Sequence, residues 1–328
     1  MSVALLAFTE QGLALARTLA AALNGQAERC TPDGGLSRWT QAHFSQEDAL
    51  IYVGAVGIAV RAIAPHCRHK SCDPAVVVVD ELGQFSIPIL SGHLGGANDL
   101  ARALADVCGA VPVITTATDA NGVFAVDEWA KHQNCAVLEP ERIKLVSGKL
   151  LAGRAVQFAS GWPIAGTPPA GITAGDAPDF ALTLCPAGDA LHLVPRIGVL
   201  GVGCKRGTGA DTLAGAFAAF CAEHRLAPQC ITAAASIDLK QNEAGLLAFC
   251  REHGWPVEFF SAEALRAAPG SFTPSAFVQS ITGVDNVCER AAVLAAGGEL
   301  VFHKFARTGV TFALAVRPFA PDWRWQNV

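Results

Sequence analysis

The chain carries no excess of basic residues: 24 Lys and Arg stand against 29 Asp and Glu, a formal charge of −5. That balance excludes the basic footprint of a general nucleic-acid binder. Charged residues are scarce, at 16%, and apolar ones make up 51%, which excludes low-complexity disorder. No uninterrupted apolar run can span a membrane, because the uncharged tract from Ala155 to Gly175 is broken by Pro163, Pro168 and Pro169. Residues Met1–Phe8 lack the basic flank of a secretion signal and suit a first strand, so a cytoplasmic location is expected. The eleven cysteines include no Cys-x-x-Cys pair. Cys67 and Cys72, with His66 and His69, match none of the common zinc spacings, so buried, reduced thiols and no protein metal site are expected. A dinucleotide fingerprint and a Gly-Lys-Ser/Thr phosphate loop are both missing, which disfavours a nucleotide-binding oxidoreductase or a nucleoside triphosphatase.

What is present is an alternation of strand-like and helix-like runs, the pattern of an α/β fold. Val3–Phe8, Ala49–Val53, the valine run Ala75–Asp80 and Val111–Thr115 read as strands, and Gln11–Leu23 and Ala97–Cys108 as helices. Residues 1–135 are therefore expected to form an N-terminal domain with a mainly parallel sheet. Residues 136–195, dense in Gly and Pro, suit a loop-rich connecting module. Residues 196–328 resume the alternation, with strands at Ile197–Val202, Ile231–Ala235, Pro256–Phe260, Glu299–Phe305 and Val310–Val316, and suit a second α/β domain.

The segment Ser91-Gly92-His93-Leu94-Gly95-Gly96-Ala97-Asn98 joins an apolar run to a helix. Such a loop can aim free N–H groups at one point, where the helix dipole favours anions, and His93 adds a group that titrates near neutrality. Ligands in open α/β sheets sit beyond the carboxyl ends of the strands. Asp80, Glu81, the Ser91–Asn98 loop and Thr115, Thr116 and Asp119 all follow expected strands and are read as lining one crevice; an N-cap role for Asp119 stays open. Arg61, His66, Arg68, His69 and Lys70 form the densest basic cluster and suit a polycarboxylate. In the second domain Gly203-Cys204-Lys205-Arg206-Gly207-Thr208 offers glycine amides, two cations and a helix start, which suits carboxylate or phosphate.

These blocks resemble the CbiG family, the cobalt-precorrin-5A hydrolases of anaerobic cobalamin biosynthesis. The resemblance runs through Gly57–Pro65, Lys70, Asp73–Glu81, Ser91–Asn98 and Thr115–Asp119. It resumes at Gly201–Thr208, Val287–Ala292, and Lys304 before Gly309-Val310-Thr311. Lys205 stands where arginine is common, which keeps the charge and loses the fork geometry. The resemblance implies opening of the δ-lactone of a cobalt-bound tetrapyrrole and release of acetaldehyde, with neighbouring corrin-pathway enzymes as potential partners. Cobalt then belongs to the substrate and no further cofactor is implied. On chemical grounds His93 is assigned as general base with Asp80 or Glu81 to orient it. The amides of Gly95, Gly96 and Ala97 are assigned as oxyanion donors with Asn98 beside them. Arg61, Lys70, Lys205, Arg206, Thr208 and Lys304 are assigned to the substrate's carboxylates. The C-terminal block also resembles CobE, so a non-catalytic cobalt-tetrapyrrole carrier is the alternative.

Overall fold

The structure is a computed structural model that describes residues 1–33, 35–69 and 72–325. It is an α/β protein with three sheets, and it divides into two compact units. One unit is residues 1–129 with 150–153 and a short piece from 324 onward; the other is residues 130–149 and 154–323. Among the described residues no helix is long and apolar enough to cross a membrane.

The first unit holds β1 (Val3–Ala7), β2 (Gln26–Arg29), β3 (Ala49–Val53), β4 (Ala75–Val79), β5 (Phe85–Leu90) and β6 (Val111–Pro112). Their order is β2-β1-β3-β4-β5-β6. The run of valines in β4 reflects burial on both faces. Val77 and Val79 pack with Leu100 and Leu104 of the helix Ala97–Cys108, while Val76 and Val78 pack with Trp39, Tyr52 and Ile63 on the other face. Leu100 and Leu104 are both buried, which stabilises that helix on the sheet by about 2 kcal/mol each.

Strands β1 to β4 are parallel, but β5 runs antiparallel to β4, with Val78 opposite Ile87 and Val79 opposite Ser86. Strand β6 is parallel to β5. Strand direction decides where each loop emerges. The carboxyl end of β4 and that of β5 lie at opposite edges of the sheet, about 20 Å apart for a six-residue strand. Strand β6 is also shorter than the expected Val111–Thr115, because the chain leaves the sheet after Pro112.

The second unit contains two sheets. Residues read as a loop-rich connector build β7 (Cys135–Val137), β8 (Val156–Ser160), β9 (Ile172–Ala174), β10 (Phe180–Leu182) and β11 (Leu191–Pro195), ordered β7-β11-β10-β8-β9. Three of these strands have only three residues, too few for alternation to stand out from the Gly and Pro turns around them. The last sheet holds β12 (Gly198–Cys204), β13 (Ile231–Ile237), β14 (Val257–Phe260), β15 (Glu299–Arg307) and β16 (Val310–Val316), ordered β14-β13-β12-β16-β15. The helix Cys288–Ala296 lies directly on β12: a Cβ at Gly201 would stand 1.8 Å from the Cys288 carbonyl oxygen. Only glycine permits that approach.

Candidate active site

The loop after β5 turns back on itself. Ser91 takes φ 56° and Gly96 φ 86°, and Ser91 Oγ donates to the Asp73 carbonyl at 3.0 Å. A Cβ at Gly95 would meet that of Ser91 at 2.3 Å, so the turn closes only around glycine. This geometry uses up two of the three amides assigned to an oxyanion, those of Gly96 and Ala97. Gly96 N donates to His93 O at 2.9 Å, Ala97 N to Ser91 O at 3.1 Å, and Asn98 N to Gly92 O at 3.0 Å. The loop caps its own helix, and the oxyanion role of the Gly96 and Ala97 amides is withdrawn.

His93 instead reaches across to two short helices, Ala117–Asn121 and Val126–His132. Its Nε2 lies 3.0 Å from Asp119 Oδ2 and 3.3 Å from Thr118 Oγ1, and its Nδ1 lies 3.2 Å from Asp127 Oδ2. Glu128 Oε1 stands 3.9 Å from Nε2. Asp119 is the third residue of its helix and not an N-cap, a position held by Thr116. Its carboxylate accepts from Arg102 at 2.6 Å, from Asn98 Nδ2 at 3.2 Å, and from Thr116 Oγ1. Asn98 Nδ2 also donates to Thr116 Oγ1 at 3.1 Å, and Arg102 reaches Asp99 at 3.3 Å. The glycine loop thus positions an imidazole and an amide side chain, where its backbone had been assigned the work.

The cluster is mostly dry, with side-chain exposures of 15% for His93 and 4% for Glu128. Burial draws the proton off the imidazole, but the hydrogen bond and charge of Asp127, joined by Asp119 and Glu128, outweigh it and raise His93 to about 9. Burial pushes the Glu128 carboxyl up to about 7, against the attraction of His93. For Asp119 burial also acts upward, yet Thr116, His93 and Arg102 together hold it below the usual carboxylate range. With both ring nitrogens facing carboxylates, His93 carries its second proton at neutral pH. That geometry favours a donating imidazolium over the general base expected from the sequence.

Neither Asp80 nor Glu81 orients His93. Asp80 accepts from Leu82 N at 3.0 Å and Phe85 N at 2.6 Å, building the turn between β4 and β5, and Glu81 accepts from Thr9 Oγ1. Both sit at the far edge, since β5 reverses direction. That edge also opens into a cavity of about 640 Å³ lined by Phe8, Arg29, Cys30, Thr31, Leu36 and Ile58. Thr115 and Arg61 are exposed, and Lys70 lies outside the described residues.

In the second unit Lys205 and Arg206 are exposed on the loop after β12. Gly207 N there donates to Glu243 Oε2 at 2.9 Å, and Thr208 Oγ1 donates to the Lys205 carbonyl at 2.8 Å. Part of that loop's capacity for anions is therefore already taken. Lys304 gives its backbone amide to the buried Glu289 at 2.7 Å.

Two family models cover this chain: Cobalamin synthesis G N-terminal matches residues 38–119, and Cobalamin synthesis G C-terminus matches residues 198–315. The chain is 37% identical, over 344 aligned positions, to the cobalt-precorrin-5A hydrolase of Salmonella typhimurium; the match spans 96% of this chain and 97% of that protein. The chain belongs to the CbiG family. It is also 30% identical to the cobalt-precorrin-5A hydrolase of Priestia megaterium, over 84% of this chain and 80% of that one. A shorter likeness, 33% over 36% of the chain, joins it to 78% of the protein CobE of a Sinorhizobium species. The CbiG N-terminal model ends at Asp119, so Asp127 and Glu128 lie beyond it. Sequence reasoning missed both, together with Arg102. A signal was present: Phe124-Ala125-Val126 and Trp129-Ala130 are apolar on either side, so an acid pair between them is carried into the interior.

Proposed function

We propose that this chain is a cobalt-precorrin-5A hydrolase of cobalamin biosynthesis whose chemistry is centred on His93, Asp119, Asp127 and Glu128. The near-full-length likeness to the Salmonella typhimurium enzyme carries the reaction. For the place of the reaction, the support is an imidazole held between separate carboxylates in a nearly dry cluster.

The substrate is a tetrapyrrole bearing its own cobalt. Water adds to the lactone carbonyl carbon, the ring ester C–O bond breaks, and a carboxylic acid and an alcohol result. The departing two-carbon unit then leaves as acetaldehyde: its hydroxyl loses a proton, a carbonyl forms, and the C–C bond's electron pair passes to the conjugated macrocycle, which takes up a proton. Both steps need a positive centre facing a developing oxyanion and a group that receives a proton. The His93 cluster concentrates these functions in the first unit. Exposed Lys205 and Arg206 in the second unit, on a chain of net charge −5, suit the substrate's carboxylates. A cytoplasmic setting among the enzymes that supply and consume the macrocycle belongs to the same reading.

Purified protein given the cobalt-bound lactone should release acetaldehyde, and His93→Ala should slow that release about 10²-fold or more. Stoichiometric binding of the tetrapyrrole without any acetaldehyde above the protein-free control would make the chain a carrier.

A further inference from the structure

We propose that His93, Asp119 and Glu128 form a binding site for one divalent first-row transition-metal ion, of the class of Zn²⁺ or Mn²⁺. The inference goes beyond the hydrolase reading and does not depend on which reaction the chain catalyses. It replaces the expectation that the only metal involved is the one inside the substrate.

One donor atom from each of His93, Asp119 and Glu128 lies within 4.8 Å of the other two. Nε2 is 3.0 Å from the Asp119 oxygen and 3.9 Å from the Glu128 oxygen. Ligands held about 2.0–2.2 Å from one ion stand roughly 3–4 Å apart, so an ion fits among these atoms with small side-chain adjustments. The second, independent observation is Glu128 itself. The residue is 3% exposed, and its Oε1 has no hydrogen-bond partner among the described residues although it faces the imidazole. Buried carboxylate oxygens are rarely left bare, and a bound ion is one of the few physical reasons for it.

The surroundings have the form that metal ligands require. Asp127 Oδ2 takes the Nδ1 side of His93, which leaves the Nε2 side for the ion, and such carboxylate–histidine pairs fix ring orientation at metal centres. Asp119 is held in turn by Arg102, Asn98 and Thr116. A carboxylate so restrained is presented in one pose. One imidazole nitrogen with two carboxylate oxygens suits Zn²⁺, Mn²⁺ or Fe²⁺; soft Cu⁺ seeks sulfur, and Ca²⁺ and Mg²⁺ favour all-oxygen sets. Three protein ligands leave positions for water, and a bound ion would lower that water's pKa or polarise a carbonyl oxygen.

The test uses the full chain, stripped with a chelator, dialysed, and titrated calorimetrically with Zn²⁺ and separately with Mn²⁺. We expect one equivalent of at least one ion to bind at micromolar or tighter Kd and to raise the thermal midpoint. His93→Ala and the isosteric Glu128→Gln should each weaken binding at least about 100-fold. The double change Cys67→Ser with Cys72→Ser should leave it unaltered and so excludes the exposed thiols. Co²⁺ added to the unsubstituted protein should give ligand-field bands of a nitrogen–oxygen site, a readout that survives misfolding of either variant. Absence of stoichiometric binding and of those bands, or tight binding unchanged in properly folded His93→Ala and Glu128→Gln, would overturn the proposal. Metal binding without acetaldehyde release would leave this site standing and remove the hydrolase.

Discussion

In the metal-free protein, stability should fall as the pH rises from 6.5 to 9. Burial disfavours the imidazolium of His93, but Asp127, Asp119 and Glu128 more than compensate and hold its pKa at about 9, against 6.5 for the free side chain. A folded value above the unfolded one gives a contribution that is complete below pH 6.5 and lost as the pH passes 9. At about 1.4 kcal/mol per pH unit, that span carries about 3 kcal/mol. Glu128, raised by burial to about 7, loses its proton in the same sense over a lower range, but it shares a network with His93 and is not added separately. Only 15% of the His93 side chain is exposed, so solvent screening removes little of this figure. The measurement is urea unfolding of chelator-treated protein at pH 6 and pH 9, for the unsubstituted chain and for His93→Gln. The difference between the two proteins should shrink by about 2–3 kcal/mol between the two pH values. Parallel pH dependence in both, or an imidazole proton resonance of His93 that titrates near 6.5, would show that the carboxylates do not hold the proton as the geometry implies.

Two further outcomes follow from other parts of the molecule. Gly201→Ala should destabilise the second unit by roughly 1–3 kcal/mol or prevent its folding, because the new methyl meets the Cys288 carbonyl oxygen at 1.8 Å; thermal unfolding of the variant measures it. Replacing Lys205 and Arg206 together by alanine should raise the KM for the tetrapyrrole about tenfold with kcat little changed, since both are exposed cations suited to binding carboxylates; an unchanged KM at low salt would dismiss them as carboxylate binders.

Much of the α/β alternation was legible because its signals are local. The valine run of β4 and the glycine loop before Ala97 each follow from residues within one turn or strand. Strand direction is a different matter, and it misplaced Asp80 and Glu81. Yet the constraint was there to be read: only Asp80 to Gln84 separate β4 from β5, whereas a parallel crossover needs a dozen residues or more. Five residues containing Gly83, at φ 68°, permit a hairpin and little else. His93, Asn98, Thr116 and Asp119 were found because a loop between strand and helix marks them. Asp127 and Glu128 were not, since two acids at the start of a helix ordinarily serve its dipole in water. The short strands β7, β9 and β10 gave no periodicity to detect.

The contrast between two buried glutamates argues that the His93 cluster is more than a structural polar core. Glu289, fully buried in the second unit, accepts from Thr273 N at 2.7 Å, Thr273 Oγ1 at 2.8 Å and Lys304 N at 2.7 Å. Donors on both oxygens make it a closed structural joint, which pins the backbone at Thr273 and Lys304 to the helix Cys288–Ala296. Glu128, almost equally buried, has one oxygen with no donor among the described residues, and its neighbour Asp127 likewise leaves Oδ1 bare among them. A fold able to satisfy one buried carboxylate so fully has the means to satisfy another. Charges that a chain keeps buried and incompletely paired lower its stability, and such sites concentrate where a proton, an ion or a substrate completes them. The glycine loop after β5 holds His93 against that incomplete pair, while its own turn closes the amides of Gly96 and Ala97.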